Sequence, residues 1–131
     1  MRITGIIEKG SDGMYSIRSE QHFGDSYFGG FGNTVAEAKQ DFKDSIQEAM
    51  EETLLSWKSA EPIEVSFQYD LPSFFNDFDF INASRFAQYA GINESKMRQY
   101  KSGAAYPGEK TVKKILDTIH SIGADLSSVS L

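Results

Sequence analysis

Ile3, Gly5 and Ile7 alternate with Arg2, Thr4 and Ile6, and Tyr15 and Ile17 alternate with Ser16 and Arg18, the period of two expected of half-buried strands. Ser11-Asp12-Gly13 between the two runs is a hairpin turn signal. A third strand is expected near Tyr27-Phe28-Gly29-Gly30-Phe31, followed by Gly32-Asn33-Thr34. Thr34 and Glu37 have capping-box spacing, so a helix should begin there. Val35, Ala38, Phe42, Ile46, Ala49, Thr53 and Trp57 recur at steps of three and four, one helical face at about 100° per residue. Glu37, Asp41, Asp44, Glu48, Glu51 and Glu52 fall opposite, an acidic stripe about 20 Å long. After Pro62, strict alternation of Ile63, Val65, Phe67 and Tyr69 with Glu64, Ser66, Gln68 and Asp70 predicts a further strand with one buried face. The order βββαβ implies an α+β domain over residues 1–71, a small antiparallel sheet with one helix packed across it.

Residues 72–80 read as a junction, since Pro72 interrupts strand pairing and Asn76, Asp77 and Asp79 are polar. Phe74, Phe75, Phe78 and Phe80 are too apolar to stand in water and should pack against one or both domains. From Asn82 the period becomes that of short helices. Phe86, Ala87 and Ala90 share a face, with Asn82 or Ser84 available as a cap. Gly91-Ile92-Asn93 breaks that helix, and a second runs from Glu94 to Ser102. It turns Met97 and Tyr100 inward, leaves Ser95, Lys96, Arg98, Gln99 and Lys101 outward, and is closed by Gly103. After Pro107, Val112, Ile115, Leu116 and Ile119 mark a third amphipathic helix, expected to end at Gly123 and to be followed by an apolar tail of Leu126, Val129 and Leu131. Residues 81–131 are therefore expected to form an all-α domain.

Charge changes this picture. The 131 residues carry 13 Lys+Arg against 19 Asp+Glu, a net charge of −6, which taken globally argues against a polyanionic partner. The distribution reverses that conclusion: residues 1–80 hold 6 basic and 15 acidic residues, and residues 81–131 hold 7 and 4. The chain joins an acidic domain to a basic one. The absence of cysteine excludes a disulfide framework, a thiolate zinc site and a Cys nucleophile. An acid at position 8 interrupts any signal-peptide apolar core, and no run approaches membrane-spanning length. A cytoplasmic location with no membrane partner is expected.

The stretch Ser84-Arg85-Phe86-Ala87-Gln88-Tyr89-Ala90-Gly91-Ile92-Asn93-Glu94-Ser95-Lys96-Met97-Arg98-Gln99-Tyr100-Lys101-Ser102-Gly103 has helix-turn-helix spacing and resembles the lambda-repressor-like (XRE-type) DNA-binding family. Ser95, Lys96 and Gln99 are candidates for base edges, because Lys donates to guanine and Gln binds adenine bidentately. Arg85, Arg98, Lys101, Ser102 and Lys110 are candidates for phosphates, which position without reading sequence. Glu94 departs from this pattern: an acid at the start of a recognition helix repels phosphate unless it accepts from cytosine.

Nearly the whole chain carries a second resemblance. A strand-rich N-terminal half leading into Phe31-Gly32-Asn33-Thr34-Val35-Ala36-Glu37-Ala38, followed by a helix-turn-helix, looks like the HicB family of antitoxins. The resemblance implies a partial ribonuclease-H-like N-terminal domain that neutralises a small, basic, RNA-cleaving HicA-like toxin, and a C-terminal domain that represses the operon by binding double-stranded operator DNA. Under it, Glu37, Asp41, Asp44, Glu48 and Glu51 become toxin-binding candidates, since an acidic surface competes for an RNA-binding site and speeds association. A homodimer or higher homo-oligomer is expected, because paired half-sites about 34 Å apart multiply the contacts of one short helix. Leu126, Val129 and Leu131 serve either that interface or the helical core. The alternative is a stand-alone transcriptional regulator with a ligand-sensing N-terminal domain. No catalytic residue, metal site or cofactor is expected. The helix acids point away from the core stripe, His22 and His120 lack ligand spacing, and Gly29-Gly30-Phe31-Gly32 lacks the Lys-Ser or Lys-Thr of a phosphate loop.

Overall fold

The computed structural model describes residues 2–22, 25–52 and 63–131. Thr53 and Trp57 of the expected core stripe, and the side chain of Glu52, lie outside the described residues. In chain order the elements are β1 (Arg2–Lys9), β2 (Tyr15–Ser19), β3 (Gly29–Gly32), α1 (Val35–Glu52), β4 (Glu64–Tyr69), α2 (Leu71–Asp77), α3 (Ala83–Ala90), α4 (Glu94–Ser102) and α5 (Glu109–Ser127). They form an α+β protein of two compact units, Met1–Phe74 and Phe75–Leu131.

In the first unit β1 and β2 pair antiparallel, with Ile7 opposite Ile17. Their turn places Gly13 at φ 82°, and the Asp12 carboxylate accepts from the Met14 amide at 2.9 Å, an Asx-type turn. The sheet order is β3-β2-β1-β4. It is mixed rather than antiparallel throughout, because β4 lies parallel to β1, with Ile3 opposite Val65 and Gly5 opposite Phe67. Helix α1 supplies the reason. After β3, which runs in the direction of β1, α1 carries the chain back and β4 enters the sheet in the same sense as β1, a crossover that a hairpin cannot make.

One sheet face and the helix stripe make the core, with Ile3, Ile7, Ile17, Ala38, Phe42 and Ile46 buried and Val35, Met50, Val65 and Phe67 packed around them. Phe42 meets Phe67 edge-on, ring centres 5.7 Å apart. Helix and sheet approach closely enough at β3 that a Cβ on Gly30 would stand 2.6 Å from the Ala38 carbonyl oxygen and closer still to the Phe42 amide nitrogen. Gly30 and Gly32 are thus a packing surface for α1.

The segment expected as a junction begins as helix α2. Asp70 caps it, its carboxylate accepting from the Ser73 amide at 2.9 Å, and Pro72 falls in the first turn, where no amide partner is needed. The Phe cluster divides. Phe74 closes the first unit, edge-on to Tyr69 at 6.4 Å, and Phe75 begins the second, edge-on to Phe86 at 5.8 Å. Contrary to expectation Phe80 is 74% exposed, its ring T-shaped to that of Phe78 with centres 6.3 Å apart.

The second unit is all helical, with Phe75, Ala83, Phe86, Ala87, Met97, Tyr100 and Ile115 buried. Helix α5 differs from its sequence reading in two ways. It does not end at Gly123 but continues to Ser127, capped at Ser128, because a single interior glycine lowers helix stability by only about 1 kcal/mol. Val112 and Leu116, expected inward, are exposed, while Ile115 alone of α5 is fully buried.

Candidate functional site

Helices α3 and α4 are held by matched caps at both ends. Asn82 accepts from the Arg85 amide at 3.0 Å and Asn93 from the Lys96 amide at 3.1 Å, each covering an N-terminal donor. Gly91 (φ 69°) and Gly103 (φ 82°) end the helices in the left-handed region that L side chains disfavour. The Ile92 amide returns to the Ala87 carbonyl at 2.9 Å, completing a Schellman-type closure that fixes the three-residue turn.

Met97 and Tyr100 anchor α4 inward. On its wheel Ser95, Arg98, Gln99 and Ser102 lie within about 50° of the outward direction, with Lys96 and Lys101 about 110° to either side. All six are exposed. Arg98, assigned to phosphates from sequence, therefore shares the outward face with Ser95 and Gln99, and Lys96, assigned to bases, stands on a flank. Arg85 and Lys110 are also exposed, on α3 and α5. Arg85, Lys96, Arg98, Lys101 and Lys110 form no ion pair among the described residues. Lys113 differs, bonding Asp117 at 2.9 Å. The unit from Phe75 onward holds seven basic and six acidic residues, a net +1, so its positive field belongs to the α4 surface rather than to the whole unit.

Glu94 is half-buried and engaged: its carboxylate accepts from the Gln88 side-chain amide at 2.7 Å, across the turn. Sequence reasoning noted the acid but not this partner, because a contact six residues apart requires the turn to fold the chain back.

The acidic face of α1 is exposed along Glu37, Asp41, Asp44, Glu48 and Glu51, but its members have different duties. Glu37 accepts from the Asn33 amide at 2.8 Å while its own amide donates to the Thr34 hydroxyl at 3.1 Å, a capping box displaced by one residue. Asp41 accepts from the Phe31 amide at 2.9 Å, covering an outward donor of edge strand β3. Asp44 and Glu51 accept from Gln40 and Gln47, one turn earlier, at 2.9 and 3.0 Å. Glu48 has no polar partner among the described residues.

Beyond the core, α5 carries a second exposed feature. Leu126 and Val129 are 58% and 62% exposed, Leu131 fully so, so the tail does not complete the helical core. Val112 and Leu116, one turn apart on α5, are exposed as well. His22 bonds Tyr27 at 2.7 Å, and among the described residues no three His, Asp or Glu side chains group to hold a metal ion. No described helix is long and apolar enough to cross a membrane.

Comparison with protein-family models, characterised proteins and solved structures finds no match to this chain.

Proposed function

We propose that this chain is a cytoplasmic, non-enzymic antitoxin of the HicB type that neutralises a small basic HicA-like ribonuclease and represses its own operon. The observation that carries the reading is the α3–α4 pair: two short helices, capped by Asn82, Gly91, Asn93 and Gly103, whose second member presents cations with no ion-pair partner among the described residues. A helix-turn-helix places such a surface in the major groove. Ser95, Gln99 and Arg98 take base edges, with Lys96 at the flank, while Arg85, Lys101, Ser102 and Lys110 hold phosphates.

The first unit supports the other half of the reading. Strand order β3-β2-β1-β4, a parallel β1/β4 pair and one helix across the sheet suit a partial ribonuclease-H-like domain. Its exposed acids on α1 suit a basic partner, with Glu48 and Asp44 better placed than Glu37 and Asp41, which serve the fold. The exposed apolar side chains of Val112, Leu116, Leu126 and Val129 suit pairing of two copies, which a two-half-site operator requires.

A mobility-shift assay on the DNA upstream of the chain's own reading frame, joined to a pull-down with the product of the adjacent gene, tests the proposal. Binding should weaken steeply with salt. The Lys96→Ala/Gln99→Ala double variant should lose discrimination between upstream and unrelated DNA, while Arg85→Ala/Lys101→Ala should weaken both alike and reduce the salt slope by about 2. Retained discrimination in the first variant would sink the recognition-helix assignment. For the partner, Asp44→Lys/Glu48→Lys should lower affinity for the adjacent gene product at low salt.

A further inference from the structure

The Gln88–Glu94 hydrogen bond joins the last turn of α3 to the first residue of α4. Its 2.7 Å length is that of a charge-assisted bond. A carboxylate at this position is favoured by the α4 dipole and opposed by any DNA phosphate nearby. Gln88 is exposed and Glu94 half-buried, and the Gln88 amide holds the acid by this bond. One carboxylate oxygen is engaged by Gln88. The other has no partner among the described residues, and a carboxylate can only accept.

Resting on the helix-turn-helix reading, we propose that Gln88 and Glu94 act as one specificity unit. Gln88 is the positioning residue, and Glu94 presents an acceptor that takes the exocyclic amino group of cytosine and repels edges that offer only acceptors. Two features of α4 fit this use. Beside Ser95, Gln99 and Arg98 on the outward face, the first position of the helix is the natural further reader, since recognition helices contact bases with their N-terminal residues. Glu94 is also the one acid among the exposed and half-exposed residues of α4, so it selects by exclusion while the flanking Lys96 and Lys101 supply affinity.

The full chain is used to select binders from a duplex pool randomised over about two helical turns, and the enriched sequences are compared for wild type, Glu94→Gln and Gln88→Ala. Glu94→Gln keeps an acceptor for Gln88 and removes the charge. The expected result is one cytosine-bearing column per half-site in the wild-type motif. Glu94→Gln should relax that column alone, with about tenfold less discrimination against its substitution. Gln88→Ala should broaden the same column while the others and the melting temperature hold. An unchanged motif with Glu94→Gln overturns the inference, as does equal loosening of every column accompanied by a lower melting temperature, the mark of a purely structural bond. Enrichment of nothing by the wild type would instead overturn the DNA-binding reading itself.

Discussion

Gly30 and Asp41 are the residues at which local sequence and tertiary contact meet most sharply in the first unit. A methyl group at Gly30 would meet the backbone of Ala38 and Phe42, which cannot yield as a side chain can. Gly30→Ala should therefore cost about 1–3 kcal/mol, read as a fall in the urea midpoint. Asp41 and Glu48 look alike in sequence, two exposed acids on one helix face. Asp41 holds the Phe31 amide and Glu48 holds nothing among the described residues, so Asp41→Ala should lower stability by about 0.5–1 kcal/mol. Glu48→Ala should stay within about 0.5 kcal/mol of wild type, and urea titration of both separates them. Helical period alone placed all these acids outward. Which of them the fold itself uses depends on an edge strand ten residues away, and no spacing rule contains that.

At the level of elements, the caps were the most legible feature of the chain. Asn82, Gly91, Asn93 and Gly103 bound α3 and α4 because short-range hydrogen bonding and φ preference act within four residues. Gly91→Ala introduces no contact within 4 Å but must hold φ near 69°, so a loss of about 1 kcal/mol is expected. Gly123 shows where the same residue type misleads. It lies inside α5, and an added Cβ there also meets nothing within 4 Å. Gly123→Ala should thus stabilise the protein by about 0.5–1 kcal/mol, and a lower midpoint would contradict the continuous helix. Gly30, Gly91 and Gly123 are three glycines for three reasons: close packing, a left-handed backbone, and none beyond composition. Sequence distinguishes the second through its neighbours Ala90 and Ile92-Asn93. The first and third need the neighbouring backbone.

For the whole molecule the decisive property is that an acidic first unit is joined to a second whose positive charge is gathered on α4. The proposed pairing of copies through α5 predicts that Leu126→Asp leaves the thermal midpoint nearly unchanged, since Leu126 is 58% exposed, while sedimentation velocity moves toward the monomer. An unchanged sedimentation coefficient would direct attention away from α5. The sequence by itself determined the α+β class, the alternation of the strands, the core stripe of α1 as far as Ile46, the Gly91 stop of α3, the caps of α4 and the burial of Met97 and Tyr100. Those follow from periods of two and about 3.6 and from hydrogen bonds a few residues long. Tertiary structure alone decided that β4 runs parallel to β1, that Phe74 and Phe75 fall in different units while Phe80 stays exposed, that Val112 and Leu116 face outward, and that Gln88 holds Glu94. Each depends on which surfaces meet after the chain has turned. An apolar or acidic residue carries the same local signal whether or not a partner surface arrives to cover it.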